Sequence, residues 1–185
     1  MIAADKLRNE NIAEYLLYMW QVEDLLRACD LDIAKVKERL IDCCSVDDAT
    51  KSVVEEWYAN LVEMMRLEGV KEKGHLQINQ NIIIQLTDLH LMLLKSPKFP
   101  EYTAEFYQVL PIIVELRAKA GNSKCGEIET CFNALYGMLM MRLQKKEISG
   151  DTENAMKQIS KFVSLLASYY HKDRQQPIFD KEDYQ

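Results

Sequence analysis

His75-Leu-Gln-Ile-Asn-Gln-Asn-Ile-Ile-Ile-Gln-Leu-Thr-Asp-Leu-His-Leu-Met-Leu-Leu94 decides the fold class. Its opening, Leu76-Gln77-Ile78-Asn79, alternates as a half-buried strand would, whereas Ile78, Ile82, Leu86, Leu89 and Leu93 recur at helical steps of three and four. A lone strand in a chain otherwise patterned for helices would leave its backbone groups without a partner. The stretch is therefore assigned to a helix and the chain to an all-α, single-domain bundle of about six to seven helices.

Upstream, Ile12, Tyr15, Leu16, Met19, Val22 and Leu26 share one face of a first helix expected over residues 5–28. Asp30 or Asp32 can cap a short second helix with Ile33, Val36, Leu40 and Cys43 or Cys44 inward. Ser45 followed by Asp48 resembles a capping box for a third, carrying Val54, Trp57, Tyr58, Leu61 and Met65 inward and ending near Gly69. Downstream, Ser96-Pro97-Lys98-Phe99-Pro100 reads as a stiff loop before a helix with Tyr102, Phe106, Val109, Leu110, Ile113 and Leu116 on its inner face. Pro111 falls within that pattern and should kink it. After a turn at Gly121-Asn122-Ser123, a sixth helix carries Ile128, Phe132, Leu135, Leu139 and Leu143, with Cys131, Ala134, Met138 and Met141 beside them. Gly150-Asp151 stops one element and caps the next, whose apolar positions are Ala155, Ile159, Phe162, Leu166 and Tyr169 or Tyr170. Residues 1–171 form the expected bundle and 172–185 a polar tail.

With 23 Lys and Arg against 29 Asp and Glu, six Gly and four Pro in 185 residues, the composition excludes collagen-like and low-complexity classes. The net charge of −6 resides in residues 1–95, which hold 11 basic and 17 acidic side chains. No basic stripe is available for phosphates, so nucleic acid and anionic membranes are not expected partners. The longest uncharged apolar runs, Tyr15–Trp20 and Leu135–Met141, are too short to span a bilayer. Charged residues within the first ten positions argue against a secretory signal. Five cysteines without a C-x-x-C pair suit a reducing cytoplasm and encode no zinc knuckle. Adjacent Cys43 and Cys44 read as packing residues at a helix end, with oxidant sensing the other reading.

No phosphate-binding glycine loop, nucleophile elbow or H-E-x-x-H occurs, so neither a cofactor nor a metal is expected. Glu14, Glu23, Asp24 and Arg27 read as a solvated face, Glu23 and Arg27 having the favourable i, i+4 order. His75 and His171 suit a helix start and a helix end, and His90 a buried position. Gln77, Asn81, Gln85 and Asp88 are unusual: they form a polar stripe on one helix with a single charge, a pattern expected to be half-buried. Such amides could orient a small ligand, or they could be satisfied internally in a central helix, which is the favoured reading. The broad apolar surface of the sixth helix, with Met138 and Met141, suits self-association or a place at the bundle centre.

The opening Ile12-Ala-Glu-Tyr-Leu-Leu-Tyr-Met-Trp-Gln-Val-Glu-Asp-Leu-Leu-Arg-Ala28 resembles the start of an uncharacterised bacterial family of helical proteins about this long, described only as a domain of unknown function. The closing Phe162-Val-Ser-Leu-Leu-Ala-Ser-Tyr-Tyr170 is compatible with that family. The resemblance implies a cytoplasmic helical protein without an assigned activity, so no functional residue is carried over. The function expected from the residues is a non-enzymatic helical interaction or structural module, with a homo-oligomer as the expected assembly. The alternative is a small-ligand sensor or cryptic enzyme built on the stripe.

Overall fold

A computed structural model describes residues 2–121 and 125–179. Among these residues the chain is 78% helical and has no strand, as an all-α fold requires. Eight α-helices form, rather than six or seven: α1 (Ile2–Glu10), α2 (Ile12–Ala28), α3 (Ile33–Val36), α4 (Asp48–Leu67), α5 (Gln77–Lys95), α6 (Pro100–Lys119), α7 (Glu127–Leu143) and α8 (Gly150–Gln175). The expected first helix is divided at Asn11, whose side-chain oxygen accepts from the Ala13 amide at 3.1 Å and so starts α2 afresh. The assigned helix over His75–Leu94 is present as α5.

Contacts divide the chain into two compact units, residues 1–10 with 14–82 and residues 11–13 with 83–185. In the first unit, α4 packs against α3 and against a π-helical turn, Lys37–Ile41, that follows α3. Asp32 caps α3 by accepting from the Ala34 amide at 2.9 Å. The π turn lengthens the inward step from four residues to five, so buried Val36 is followed by buried Ile41. Its i→i+5 geometry is seen in the Asp42 amide donating to the Lys37 carbonyl at 2.9 Å. This shift leaves Cys43 and Cys44 exposed and not packed as expected. The cap of α4 is Asp47, not Ser45, and it accepts from the Thr50 amide at 2.9 Å. At the other end Gly69, with φ +70°, closes a Schellman motif: Val70 donates to the Met65 carbonyl at 3.0 Å and Gly69 to that of Arg66 at 3.3 Å.

In the second unit α6, α7 and α8 pack on one another. Tyr102, Phe106, Val109, Ile113, Ile128, Phe132, Ile159, Phe162 and Leu166 form its centre. Pro100 opens α6, and the helix continues through Pro111 to Lys119. Ser149, and not Asp151, caps α8, accepting from the Thr152 amide at 3.3 Å. Helix α8 continues past residue 171 to Gln175, and beyond it Phe179 is buried with its ring 5.4 Å from that of Phe99. Asn122 and Ser123 of the expected turn, and residues 180–185 of the expected tail, lie outside the described residues. No described helix is long and apolar enough to cross a membrane.

Candidate functional site

Glu23, expected on the solvated face of α2, is 0% exposed. A buried carboxylate is costly unless its oxygens are hydrogen-bonded, and here both are. Oε1 accepts from the Leu76 amide at 2.9 Å and from Asn79 Nδ2 at 2.7 Å. Oε2 lies 2.6 Å from His75 Nδ1. Leu76 immediately precedes α5, where unpaired amides and the helix dipole favour an anion. With the carboxylate as acceptor, Nδ1 carries the ring hydrogen and Nε2 is the second ring nitrogen. The His75 ring stacks on Trp20 at 4.0 Å between centroids and 12° between planes. Trp20 stands three residues before Glu23, on the same face of α2.

Arg27 does not pair with Glu23. Its Nη1 donates to Asp24 at 2.7 Å, and its Nη2 donates to the Val70 carbonyl at 3.2 Å and to that of Gly74. Glu23 and Arg27 thus hold both ends of the loop between α4 and α5. Arg27 Nε and Asn79 Oδ1 are buried without a hydrogen-bond partner among the described residues. The sequence did carry a signal for Glu23: it stands seven residues after Leu16, four after Met19 and three before Leu26, all buried. A charge at such a position lies inside the apolar arc.

The second unit has its own buried polar pair. His90 Nδ1 lies 2.7 Å from the Tyr102 hydroxyl, ringed by Phe106 and Phe162. Burial lowers the His90 pKa to about 4, and it pushes the Tyr102 hydroxyl upward. The imidazole is therefore neutral at physiological pH. His171 Nε2 accepts from the Ile12 amide at 3.1 Å, satisfying one of the open donors at the start of α2. Burial, followed by the nearby Arg174, lowers the His171 pKa. Its role is that of a neutral acceptor and not of a cation at a helix end.

Gln77, Asn81, Gln85 and Asp88 are all exposed, so the expected half-burial of the stripe does not occur. The inward side of α5 is taken by Ile82, Leu86, Leu89 and Leu93 together with Asn79 and His90, which leaves the stripe on the opposite face. Gln77 Nε2 donates to Asn81 Oδ1 at 2.9 Å, and Gln85 Oε1 accepts from the Tyr170 hydroxyl at 2.9 Å. Ile84 and Leu91 are exposed on the same helix. Met138 is buried and Met141 half-buried; α7 spends Met138 on packing inside its unit, so that side chain is not free to meet a partner.

A regular exposed apolar stripe lies on α6. Pro100, Ala104, Tyr107, Pro111, Val114 and Ala118 are spaced at four, three, four, three and four residues, and every one is exposed. Tyr107 is 62% and Val114 56% accessible. Because the inner positions Tyr102, Phe106, Val109 and Ile113 form an equally regular pattern, the outer stripe is masked when α6 is read for its core.

Among the described residues, no group of three or more His, Cys, Asp or Glu side chains is placed to hold a metal ion. Neither a search of curated proteins nor one of solved structures returns a match. The family model described as "Domain of unknown function (DUF4924)" matches residues 1–177, and the chain belongs to that family.

Proposed function

We propose that the chain is a non-enzymatic helical interaction module that associates with a second copy of itself through the outer face of α6. The observation that carries this reading is the exposed stripe Pro100, Ala104, Tyr107, Pro111, Val114 and Ala118. Steps that alternate between four and three residues are those of the a and d positions along a seam between two helices. The 20 residues of α6 extend the seam over about 30 Å. Two-fold symmetry favours a self-complementary pairing. An antiparallel arrangement about the middle of α6 sets Ala104 against Val114 of the partner subunit, and Tyr107 against Pro111 of the partner subunit, small against large. The exposed face of α5, with uncharged amides around Ile84 and Leu91, adds surface of the composition common at protein contacts.

Sedimentation velocity at micromolar concentration tests the reading. The full chain should sediment at twice 21.5 kDa, and the Val114→Lys variant at 21.5 kDa with unchanged helicity. A wild-type chain sedimenting as a monomer, or a Val114→Lys variant that remains dimeric, overturns self-association through this face.

A further inference from the structure

We infer that a cavity in the first unit binds a small oxyanion, the carboxylate or phosphate group of a small molecule. The cavity is about 470 Å³ and is lined by Arg27, Asp30, Leu31, Arg66, Lys71 and Glu72, a volume within the range of small-molecule sites. Its three cations come from three segments: Arg27 from the last turn of α2, Arg66 from the last turn of α4, and Lys71 from the loop after α4. Residues 1–95 carry 11 basic against 17 acidic side chains, so this convergence runs against the local composition. Helix dipoles favour one cation at each helix C-terminus. They account for Arg27 and Arg66, but for neither Lys71 nor the cavity.

The charges of the lining are unequally committed. Arg27 is paired with Asp24, and Asp30 with Lys35. Arg66 donates through Nη2 to the Leu31 carbonyl at 2.8 Å, while its Nη1 is 3.8 Å from Glu63, beyond hydrogen-bond reach. Lys71 makes no hydrogen bond or ion pair among the described residues. Arg66 and Lys71 therefore bring unspent donors to the cavity, with Glu72 as the opposing charge. Arginine and lysine donors of this kind recognise carboxylate and phosphate oxygens through charge-assisted hydrogen bonds.

The walls are fixed in advance. Arg27 holds the carbonyls of Val70 and Gly74, and Glu23 holds His75 and Leu76, so the segment carrying Lys71 is anchored on both sides. Across the cavity, Asp30 and Leu31 have φ of +57° and +54°, the left-handed region that non-glycine residues seldom enter. Burial of Leu31 and the bond from Arg66 to its carbonyl hold that conformation. Walls already in place reduce the ordering cost of binding.

Amide NMR of the full chain, titrated separately with inorganic phosphate and with acetate at an ionic strength held constant by chloride, tests the site. Saturable shifts at Asp30, Leu31, Lys71 and Glu72 are expected with at least one anion. Saturation by acetate assigns a carboxylate ligand, and saturation by phosphate alone assigns a phosphoryl group. Lys71→Ala should weaken binding about tenfold, the scale of one charge-assisted contact. Glu72→Gln should tighten it severalfold, a gain that structural damage does not produce. Absence of saturation with both anions, equal competition by chloride, or wild-type affinity in Lys71→Ala overturns the proposal.

Discussion

Glu23 and His75 are 52 residues apart in the chain and 2.6 Å apart in space, and through that contact α2 fixes the start of α5. Removing the carboxylate strands the Leu76 amide, Asn79 Nδ2 and the His75 ring donor together. Glu23→Ala should cost about 3 kcal/mol of unfolding free energy, the scale for breaking a buried charged network by deleting one member. Urea denaturation followed by circular dichroism gives the value. A loss below about 0.5 kcal/mol, the scale of ordinary surface substitutions, would mean that the amides find water instead.

Stability should depend on pH through His90. Its folded pKa of about 4 lies below the ordinary histidine value near 6.5. Between those two values the unfolded chain binds more protons, so stability rises with pH across that window. The contribution is complete above about pH 6.5 and is lost as pH falls towards 4, amounting to about 3 kcal/mol. His171, also held below its usual value, acts in the same direction. Replacing His90 by Gln keeps a polar partner for Tyr102 without a titration. The pH slope of the variant, measured by denaturant midpoints from pH 4 to 7, should be visibly flatter, and an unchanged slope refutes this assignment.

Two glycines should respond to alanine with opposite signs. Gly69 has φ +70° with open space around the position of a Cβ, so Gly69→Ala meets only the left-handed penalty and should destabilise by about 1 kcal/mol. Gly137, exposed inside α7, has no atom within 4 Å of that position, so Gly137→Ala should stabilise by up to about 1 kcal/mol. Thermal unfolding of the two variants beside the wild type checks both signs.

Thiol labelling should separate the cysteines by exposure. Cys43 and Cys44 are exposed, whereas Cys29 and Cys131 are buried. Burial also pushes the Cys131 thiol up to about 12, which removes the reactive thiolate at neutral pH. A chromogenic disulfide reagent should modify Cys43 and Cys44 first, and Cys29 and Cys131 only after denaturant is added. Early modification of Cys131 would contradict the packing between α6, α7 and α8.

Helix positions were legible because apolar side chains recur every three or four residues, and such periodicity needs no knowledge of neighbours. Where a local side chain could compete with the helix, as Asn11 does, the pattern continued across the break and concealed it. The π turn is not legible in the sequence because Leu40 and Ile41 both satisfy an apolar template, and only packing against α4 selects Ile41. The burial of Glu23 is hidden for a related reason. Its pairing with Arg27 is plausible on an isolated α2, and the partners that bury it stand more than 50 residues away, in a loop and helix whose approach no local spacing reveals. For the polar stripe of α5, composition indicated burial, but Asn79 and His90, rather than Gln77, Asn81, Gln85 and Asp88, occupy the inward positions.

The π turn has a consequence for chain length. Five residues separate Val36 from Ile41 because one residue is accommodated as a widened turn. Deleting Lys37 or Glu38 would bring the two inward side chains to four residues apart, the step of an ordinary α-helix, without disturbing Asp32 before it or Asp47 after it. Residues 37–41 are thus a place where related sequences can differ by one residue and still keep the same core.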